Sequence, residues 1–332
     1  MTQDALLMTE NLKTHFYTKK GIVKAVDGVD IAVKKGTVTG LVGESGCGKS
    51  VTALSVMGLV PSPPGRIVEG RILFEGEDLT RKSPSEMAQL RGRDISMIFQ
   101  EPMTSLNPVL TVGRQVGEPL RLHTKLGREK IKNKVVEMLD LVGIPEPASR
   151  LGSFPHQLSG GLRQRVMIAM AMICEPKLLI ADEPTTALDV TIQAQILELM
   201  KDLMKRLDTS IILITHDLGV VAEICDEVYV MYAGKVVEKG TVFDIFDAPA
   251  HPYTRGLLRS IPGIGASSPG GKLYSIDGTV PSLLNLPAGC RFAPRCSKAL
   301  PYCHEKEPEM APLGGSHFAR CLRAGEGGFD CD

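Results

Sequence analysis

A glycine-rich segment at residues 43–50 constrains the fold of this chain more than any other feature. It reads Gly-Glu-Ser-Gly-Cys-Gly-Lys-Ser, which fits the pattern Gly-x4-Gly-Lys-Ser/Thr. The apolar residues 38–42 precede it and a helical pattern over residues 49–59 follows it. The sequence therefore predicts a buried strand, a tight loop and a helix, the context in which such a loop binds the phosphates of a nucleoside triphosphate.

The residue types in this loop suit phosphate and Mg²⁺. Its glycines let backbone N–H groups turn toward the phosphates, and the helix N-terminus presents further donors and a positive dipole end. Lys49 is predicted to reach the outer phosphates, and the Ser50 hydroxyl to take a Mg²⁺ position. A chance turn is the alternative, which the other motifs disfavour. The predicted nucleotide-binding residues are Gly43, Glu44, Ser45, Gly46, Cys47, Gly48, Lys49, Ser50 and Val51.

A second apolar strand ends in two acidic residues. Residues 178–181 read Leu-Leu-Ile-Ala, and Asp182 and Glu183 follow directly. At the carboxyl end of a strand, Asp182 is predicted to hold Mg²⁺, directly or through water. An isolated Asp-Glu pair would also suit a solvated strand end, but the continuation Pro-Thr-Thr-Ala-Leu-Asp at residues 184–189 weakens that explanation.

Between these motifs, residues 158–165 read Leu-Ser-Gly-Gly-Leu-Arg-Gln-Arg and open an amphipathic helix. The order of the three motifs resembles the ATP-binding cassette (ABC) ATPases. The resemblance implies that Ser159, Gly160 and Gly161 donate hydrogen bonds to a γ-phosphate held by an opposing subunit, so a second cassette is expected. Leu162 stands where glutamine is usual in the family. We expect function to survive this change, because the serine and glycines make the phosphate contacts.

The same resemblance assigns roles to three residues that follow predicted strands. It implies that Glu183 is the base that polarises the attacking water. It implies that Gln100 senses Mg²⁺ and links the core to a helical subdomain, and that His216 contacts the γ-phosphate. Either of the last two would more often be a surface polar residue if it stood alone.

Two further positions match the family pattern near its subunit contact and its adenine site. Asp189 ends a stretch that resembles the dimer-contact loop. An aromatic residue near the N-terminus stacks on adenine in the family, and Phe16 and Tyr17 lie in that region. Tyr17 is slightly preferred for this role, with ordinary packing as the alternative for both.

The spacing of strands and helices predicts an α/β fold with parallel strands buried on both faces. We expect a P-loop ABC ATPase core, the nucleotide-binding domain, over residues 1–262, with an inserted helical subdomain over about residues 87–164. A Gly/Ser/Pro-rich segment at 263–271 begins a small C-terminal module, residues 263–332. This module is predicted to be irregular and to depend on a cross-link or metal, because it buries little apolar surface.

Composition limits the classes of partner. Over 332 residues, Lys+Arg and Asp+Glu both number 38, so the net charge is zero and no basic field is available to hold nucleic acid. The longest apolar runs are shorter than the roughly 20 residues that cross a bilayer. The N-terminus lacks the pattern of a signal peptide, so a cytoplasmic location is expected, in which disulfides are disfavoured.

Three segments narrow the resemblance to the ATPases of dipeptide and oligopeptide importers. They are Gln-Glu-Pro-Met-Thr-Ser-Leu-Asn-Pro at residues 100–108, His-Pro-Tyr-Thr-Arg-Gly-Leu-Leu at residues 251–258, and the cysteine-rich end of the chain. Nickel-importer ATPases share these features, so peptide is a preference over nickel. A nucleotide-dependent clamp with a metal-cluster sensor is the alternative outside transport.

The importer resemblance implies several partners. They are a second ABC ATPase subunit, expected to be a paralogue, two integral membrane permease subunits and, indirectly, an extracytoplasmic solute-binding protein. The chain would then lie at the cytoplasmic face of the cell membrane as a peripheral subunit.

Cysteines are concentrated near the C-terminus. Cys290, Cys296, Cys303 and Cys321 follow the spacing C-x5-C-x6-C-x17-C, and Cys331 is expected to be spare. The paired C-x2-C spacing common in zinc sites is missing, whereas an iron–sulfur cluster does not require it. Reduced surface cysteines and two disulfides are the alternatives. The importer resemblance implies a [4Fe–4S] cluster on these four residues, with a structural role as the default.

Overall fold

The computed structural model describes residues 5–100, 105–186, 188–261 and 274–324. The strands are β1 (Ala5–Thr18), β2 (Gly21–Lys34), β3 (Val38–Val42), β4 (Gly65–Phe74), β5 (Glu77–Asp78), β6 (Ile95–Ile98), β7 (Leu178–Asp182), β8 (Ser210–Thr215), β9 (Glu227–Tyr232), β10 (Lys235–Thr241), β11 (Ala311–Gly314) and β12 (His317–Ala319). The helices are α1 (Lys49–Val56), α2 (Pro84–Leu90), α3 (Val112–Val116), α4 (Glu118–His123), α5 (Arg128–Leu141), α6 (Pro147–Arg150), α7 (Gly160–Met172), α8 (Val190–Leu207), α9 (Leu218–Ile224), α10 (Val242–Asp247) and α11 (Pro252–Arg259).

The chain forms two compact units. The first contains Met1–Leu6, Val33–Thr37 and Arg81–Ile214, and the second contains Leu7–Ala32, Val38–Thr80 and Thr215–Asp332.

The first unit combines three parallel strands with most of the helices. Strand β7 lies between β6 and β8 and pairs with both in parallel, as Leu179 does with Ser96 and Ile211. All five residues of β7 are buried, which is the pattern of a parallel strand covered on both faces. In the sequence, helix α2 precedes β6 and helices α3 to α7 follow it.

The second unit contains two sheets. One is antiparallel where its register is defined, with strand order β2-β1-β4-β5. In the other, β3 pairs in parallel with β9, and β9, β10, β12 and β11 follow in antiparallel order. Strand β3, which leads into the glycine-rich loop, is buried at all five residues, as expected.

The C-terminal segment differs in part from the expected irregular module. Its residues 274–324 contain two short 3₁₀ turns, Ala293–Arg295 and Pro301–His304, together with the hairpin of β11 and β12. Strand β12 pairs with β10, opposite Glu238 and Lys239. The segment thus extends a sheet of the second unit.

The predicted end of the helix after the glycine-rich loop, at residue 59, was wrong by three residues. Helix α1 ends at Val56, because Gly58 takes a left-handed conformation (φ +60°) and its N–H closes a tight turn on Ser55. Strand β6 ends at Ile98, and Phe99 is exposed. In the described part of the chain, no helix combines the length and apolar character needed to cross a membrane.

A buried histidine begins the last helix. His251 is 1% exposed, and its Nδ1 accepts a hydrogen bond from the backbone N–H of Tyr253, at 3.1 Å. The backbone N–H of His251 donates to one carboxylate oxygen of Glu238. The other carboxylate oxygen of Glu238 lies 2.8 Å from Nε2 of His317. Burial lowers the pKa of His251 to about 4. The His-Pro-Tyr segment is therefore a helix start held by a neutral imidazole.

We predict that His251 makes stability fall in mild acid. Its folded pKa lies below the unfolded value of about 6.5, so the unfolded chain binds more protons between these values. The contribution of His251 to the free energy of unfolding is fully present above pH 6.5. It falls by about 1.4 kcal/mol per pH unit as the pH drops from 6.5 toward 4. Urea unfolding at pH 7.5, 6.0 and 5.0 measures this slope.

His251→Asn is the matched control, because its side-chain oxygen keeps an acceptor for Tyr253 but does not titrate in this range. The variant should lose the extra slope below pH 6.5, whatever constant offset it adds. The pKa of His317 is raised, first by its hydrogen bond to Glu238. That contribution is fully present below pH 6.5 and is lost as the pH rises above it, so it affects the point at pH 7.5 but adds no slope between pH 6.0 and 5.0. Parallel slopes for wild type and variant would refute the assignment.

Candidate functional site

The glycine-rich loop leaves β3 and enters α1 in a conformation that two glycines permit. Gly43 has φ +148° and Gly48 has φ +112°, values that residues with a Cβ rarely adopt. A Cβ on Gly43 would lie 2.2 Å from the carbonyl oxygen of Met231, and one on Gly48 would lie 2.3 Å from that of Ala25. The backbone of the loop therefore packs directly against neighbouring backbone.

The side chain of the loop lysine, Lys49, folds back onto the backbone of the loop. Lys49 is 5% exposed, and its Nζ donates to the carbonyl oxygens of Gly43, at 2.7 Å, and Glu44, at 3.1 Å. Ser50 is the second residue of α1. Gly48 precedes the helix and has no side-chain acceptor, so the first-turn N–H groups are left for an anion.

A tyrosine from the His-Pro-Tyr segment supports the same loop. The N–H of Glu44 donates to the hydroxyl of Tyr253, at 2.8 Å, and this ring packs 4.7 Å from Tyr232 and 5.5 Å from Phe292. Burial raises the pKa of Tyr253, so its hydroxyl stays neutral. Sequence reasoning treated this segment only as a subfamily motif and missed the contact.

The acidic pair at the end of β7 lies in the first unit. Asp182 is 5% exposed, and the N–H of Glu183 donates to the carbonyl oxygen of Ile214. Glu183 has φ +48°, a strained value for a residue other than glycine and one that recurs at functional sites. Its Oε2 accepts from Nε2 of Gln100 and from the hydroxyl of Thr186, both at 2.9 Å. The structure thus brings Gln100 and Glu183 together.

The signature segment begins helix α7, also in the first unit. Ser159 is the N-cap and its hydroxyl accepts from the N–H of Leu162, at 3.4 Å. Ser159 and Gly160 are exposed, while a Cβ on Gly161 would meet Ile192 of α8 at 3.1 Å. The helix therefore presents its first residues to solvent and packs closely from its second residue onward.

Polar side chains of α7 connect the signature helix with its surroundings. Gln164 is 1% exposed and donates to the carbonyl oxygen of Pro184, directly after the acidic pair. Sequence reasoning missed this residue, because a glutamine in an amphipathic helix gives no distinctive signal. Arg163 donates to the carbonyl oxygen of Pro155, and Arg165 to that of Val142.

The remaining predicted residues occupy the ends of their elements. Asp189 is the N-cap of α8 and accepts from the N–H of Ile192, at 2.9 Å. His216 follows β8 and is exposed. Tyr17 is 41% exposed, with the guanidinium of Arg66 4.5 Å from its ring centre. The adenine contact remains a prediction.

Phe16, the other candidate for the adenine contact, has a different environment from Tyr17. A Cβ on Gly65, which faces Phe16 across β1 and β4, would lie 2.7 Å from the Phe16 ring. Phe16 therefore packs on its neighbouring strand, whereas Tyr17 presents more of its ring to solvent.

The four clustered cysteines line one small apolar pocket, with about 20 Å³ of internal space. They are Cys290, Cys296, Cys303 and Cys321. All four are free thiols, and Cys331 lies outside the described ranges. Among the residues described, no three His, Cys, Asp or Glu side chains form a group that could hold a metal ion.

The pocket surrounds its thiols with apolar groups and backbone donors. Burial raises the pKa of Cys290 to about 11 and also raises the pKa values of Cys296 and Cys321. Backbone N–H groups two residues farther along, at Phe292, Lys298 and Arg323, donate to these three sulfur atoms. Hydrogen bonds of this kind favour the thiolate form and act against the effect of burial.

Matches to protein-family models identify the class of protein to which the chain belongs. Residues 26–186 match the family model described as ABC transporter, so the loop, the signature and the acidic pair belong to an ATP-binding cassette ATPase. Residues 237–303 match the model described as oligopeptide/dipeptide transporter, C-terminal region. The chain belongs to the family of ATP-binding proteins of oligopeptide and dipeptide ABC transporters.

Similar curated proteins span nearly the whole chain. The oligopeptide transport ATP-binding protein AppD of Bacillus subtilis is 54% identical over 98% of this chain and 98% of its own length. The dipeptide transport ATP-binding protein DppD of the same organism is 54% identical over 96% of this chain and 94% of its own length.

Solved cassettes share the fold of the larger part of the chain. The ATP-binding cassette MJ0796, solved as a dimer bound to ADP and Pi, is 26% identical, with a TM-score of 0.64 over 71% of this chain and 98% of its own. CbiO1 from Clostridium perfringens, part of the transporter complex CbiONQ, is 31% identical, with a TM-score of 0.63 over 74% of this chain and 92% of its own. These similarities confirm the predicted P-loop ABC ATPase fold.

We predict that Glu183→Gln abolishes turnover and leaves ATP binding intact. The amide keeps the size of the side chain but removes its basicity, which is worth roughly a hundredfold or more in rate. Phosphate release and equilibrium ATP binding are the two measurements. Glu198→Gln, an exposed position on α8, is the control and should hydrolyse ATP like the wild type. Unchanged hydrolysis in Glu183→Gln would overturn the assignment of the base.

Proposed function

We propose that this ATPase energises the import of dipeptides or oligopeptides through a separate membrane permease. The observation that carries the proposal is the match of residues 237–303 to the oligopeptide/dipeptide transporter C-terminal model, in a chain whose cassette matches the ABC transporter model. The names of the similar proteins, oligopeptide and dipeptide transport ATP-binding proteins, support the same solute class.

The site residues divide the work of ATP hydrolysis. Lys49 and the first-turn N–H groups of α1 bind the phosphates, and Ser50 and Asp182 hold Mg²⁺. Gln100, bound to Glu183 at 2.9 Å, orients that carboxylate and senses the same ion. Glu183 polarises the attacking water, which is the role of a general base.

Four further positions act at the phosphate end and at the subunit contact. His216 contacts the γ-phosphate, and the exposed Ser159 and Gly160 bind the γ-phosphate held by the opposing subunit. Asp189 shapes the dimer-contact loop by capping α8. A hydroxyl and free backbone donors at a helix start suit an anion supplied by another chain.

The assembly that this function requires contains several other chains. We propose a second ATPase subunit, a paralogue, with two integral permease subunits and an extracytoplasmic solute-binding protein that acts indirectly. The chain would be peripheral at the cytoplasmic face of the membrane. The balance of 38 basic and 38 acidic residues supports partners of protein rather than nucleic acid.

Affinity purification from detergent-solubilised membranes tests this assembly. We expect integral permease subunits and a second ATPase to be recovered, and ATP hydrolysis by the complex in vesicles to rise with a peptide-loaded binding protein. The Glu183→Gln chain is the control, because it should recover the same partners without hydrolysis. Stimulation by nickel would instead identify nickel as the transported solute. Absence of permease subunits would favour a nucleotide-dependent clamp.

We further propose that the C-terminal module, residues 263–332, binds a [4Fe–4S] cluster through Cys290, Cys296, Cys303 and Cys321. The support is the convergence of all four thiols on one apolar pocket, with backbone donors to three of the sulfur atoms. When bound, a cluster would cross-link four points of a segment with little regular structure. We also propose that about residues 87–164 form a helical subdomain.

Elemental analysis of anaerobically purified protein tests the cluster. Iron and acid-labile sulfide should be present in matched amounts and should be lost in Cys290→Ser and Cys296→Ser. Cys174→Ser is the control, because this half-buried free thiol belongs to the first unit and does not line the pocket. Stoichiometric zinc, or protein without metal, would refute the cluster and leave the ATPase assignment unchanged.

A further inference from the structure

An arginine of the C-terminal segment binds the carboxylate of Glu44 in the phosphate loop. Arg295 donates from Nη1 to Oε2 of Glu44, at 2.6 Å, and from Nη2 to Oε1, at 3.1 Å. This is a two-pronged guanidinium–carboxylate pair, the most directional form of ion pair in proteins. The two residues are 251 positions apart in sequence and lie within the second unit.

The arginine is fixed from several sides. Its side chain is 5% exposed, and its other hydrogen bonds go to the carbonyl oxygens of Ile276 and Asp277 and to the hydroxyl of Tyr232. The guanidinium also lies 5.8 Å from the ring centre of Tyr232. The hydrogen bond to Glu44 raises the pKa of Arg295, so the charge persists at any physiological pH. An ordered cation held in this way determines where its carboxylate partner lies.

Glu44 transmits this constraint to the groups that face a nucleotide. Its N–H donates to Tyr253, at 2.8 Å, and its carbonyl oxygen accepts from Nζ of Lys49, at 3.1 Å. Residues 45–48, which include two glycines, follow Glu44 directly in the loop. A displaced Glu44 would therefore reorient loop donors and release one of the contacts of Lys49.

The same turn of chain that carries Arg295 also lines the cysteine pocket. Cys290 and Cys296 flank the 3₁₀ turn Ala293–Arg295, and the N–H of Cys296 donates to the carbonyl oxygen of Ala293. Phe292 and Ala293 line the pocket together with the thiols. Arg295 is thus the last residue of a short 3₁₀ turn whose first residue lines the thiol pocket, and its side chain binds Glu44.

We propose that Arg295 is a positioning residue for the phosphate loop, acting through Glu44, and that the cysteine pocket sets nucleotide affinity through this contact. The inference rests on ATP binding by the loop but is independent of which metal or cluster occupies the pocket. Arg295 acts on the loop without touching the nucleotide.

A double-mutant cycle tests the positioning role. Binding of Mg-ATP is measured in the Glu183→Gln background, to prevent turnover, for Arg295→Gln, Glu44→Ala and the pair. Arg295→Gln should weaken binding roughly tenfold, a size usual for coupled neighbours. Its effect should disappear when Glu44 is already Ala, and Arg295→Lys should recover part of the affinity.

The matched control is Arg320→Gln. Arg320 also binds the C-terminal segment to the core, through the carbonyl oxygens of Val236 and Pro308, but does not contact the loop. It should lower the melting temperature without changing the affinity for Mg-ATP. Equal affinity for wild type and Arg295→Gln, or a weakening that persists unchanged with Glu44→Ala, would overturn the positioning role. Failure of the wild-type chain to bind ATP would instead overturn the ATPase assignment.

The link to the thiol pocket is tested by a second cycle. Cys290→Ser should weaken Mg-ATP binding when Arg295 is present and should add nothing in the Arg295→Gln chain. Cys174→Ser should leave affinity unchanged in both chains. An additive effect of Cys290→Ser, or none in the wild-type background, would overturn the proposed control by the pocket.

Discussion

The nucleotide site depends on backbone packing against backbone at the phosphate loop. Gly43 lies against the carbonyl oxygen of Met231 and Gly48 against that of Ala25, at distances where a Cβ would overlap. Because proteins pack at nearly crystalline density, a methyl group at either position would push the loop out of its path. The glycines thus fix the position of the loop, while the lysine and serine supply its chemistry.

The loop is also held by side chains that arrive from distant parts of the sequence. Tyr253 binds the N–H of Glu44, and Arg295 binds its carboxylate. Tyr232 and Phe292 pack beside Tyr253 and near the guanidinium, and the Arg295 side chain is only 5% exposed. A polar contact that is shielded from water is stronger than the same contact at the surface. The C-terminal segment is therefore part of the support of the nucleotide site.

The sequence predicted the parts of the site that depend on local backbone geometry. The loop at residues 43–50 and the acidic pair after residue 181 each combine a strand, a turn and fixed residue types, so both could be located from pattern alone. The structure adds Gln164 on Pro184, Tyr253 on Glu44 and Arg295 on Glu44. These contacts join residues that are far apart in sequence, and single glutamine, tyrosine and arginine residues have no periodic signal. A shared site for the cysteines was expected from their clustering in the sequence and from the family resemblance, but their backbone donors were not.

The ladder between β10 and β12 has a consequence for dissecting the molecule. The match to the C-terminal transporter model begins at residue 237, inside β10, whereas β12 begins only at His317. A truncation between the two would strip β10 of its neighbour at Glu238 and Lys239 and leave main-chain donors and acceptors exposed along an open edge. Open edges recruit strands from other molecules, so such a fragment would aggregate. The cassette and its C-terminal region are thus one folding unit at this edge, and exchange of segments between relatives would have to keep both strands.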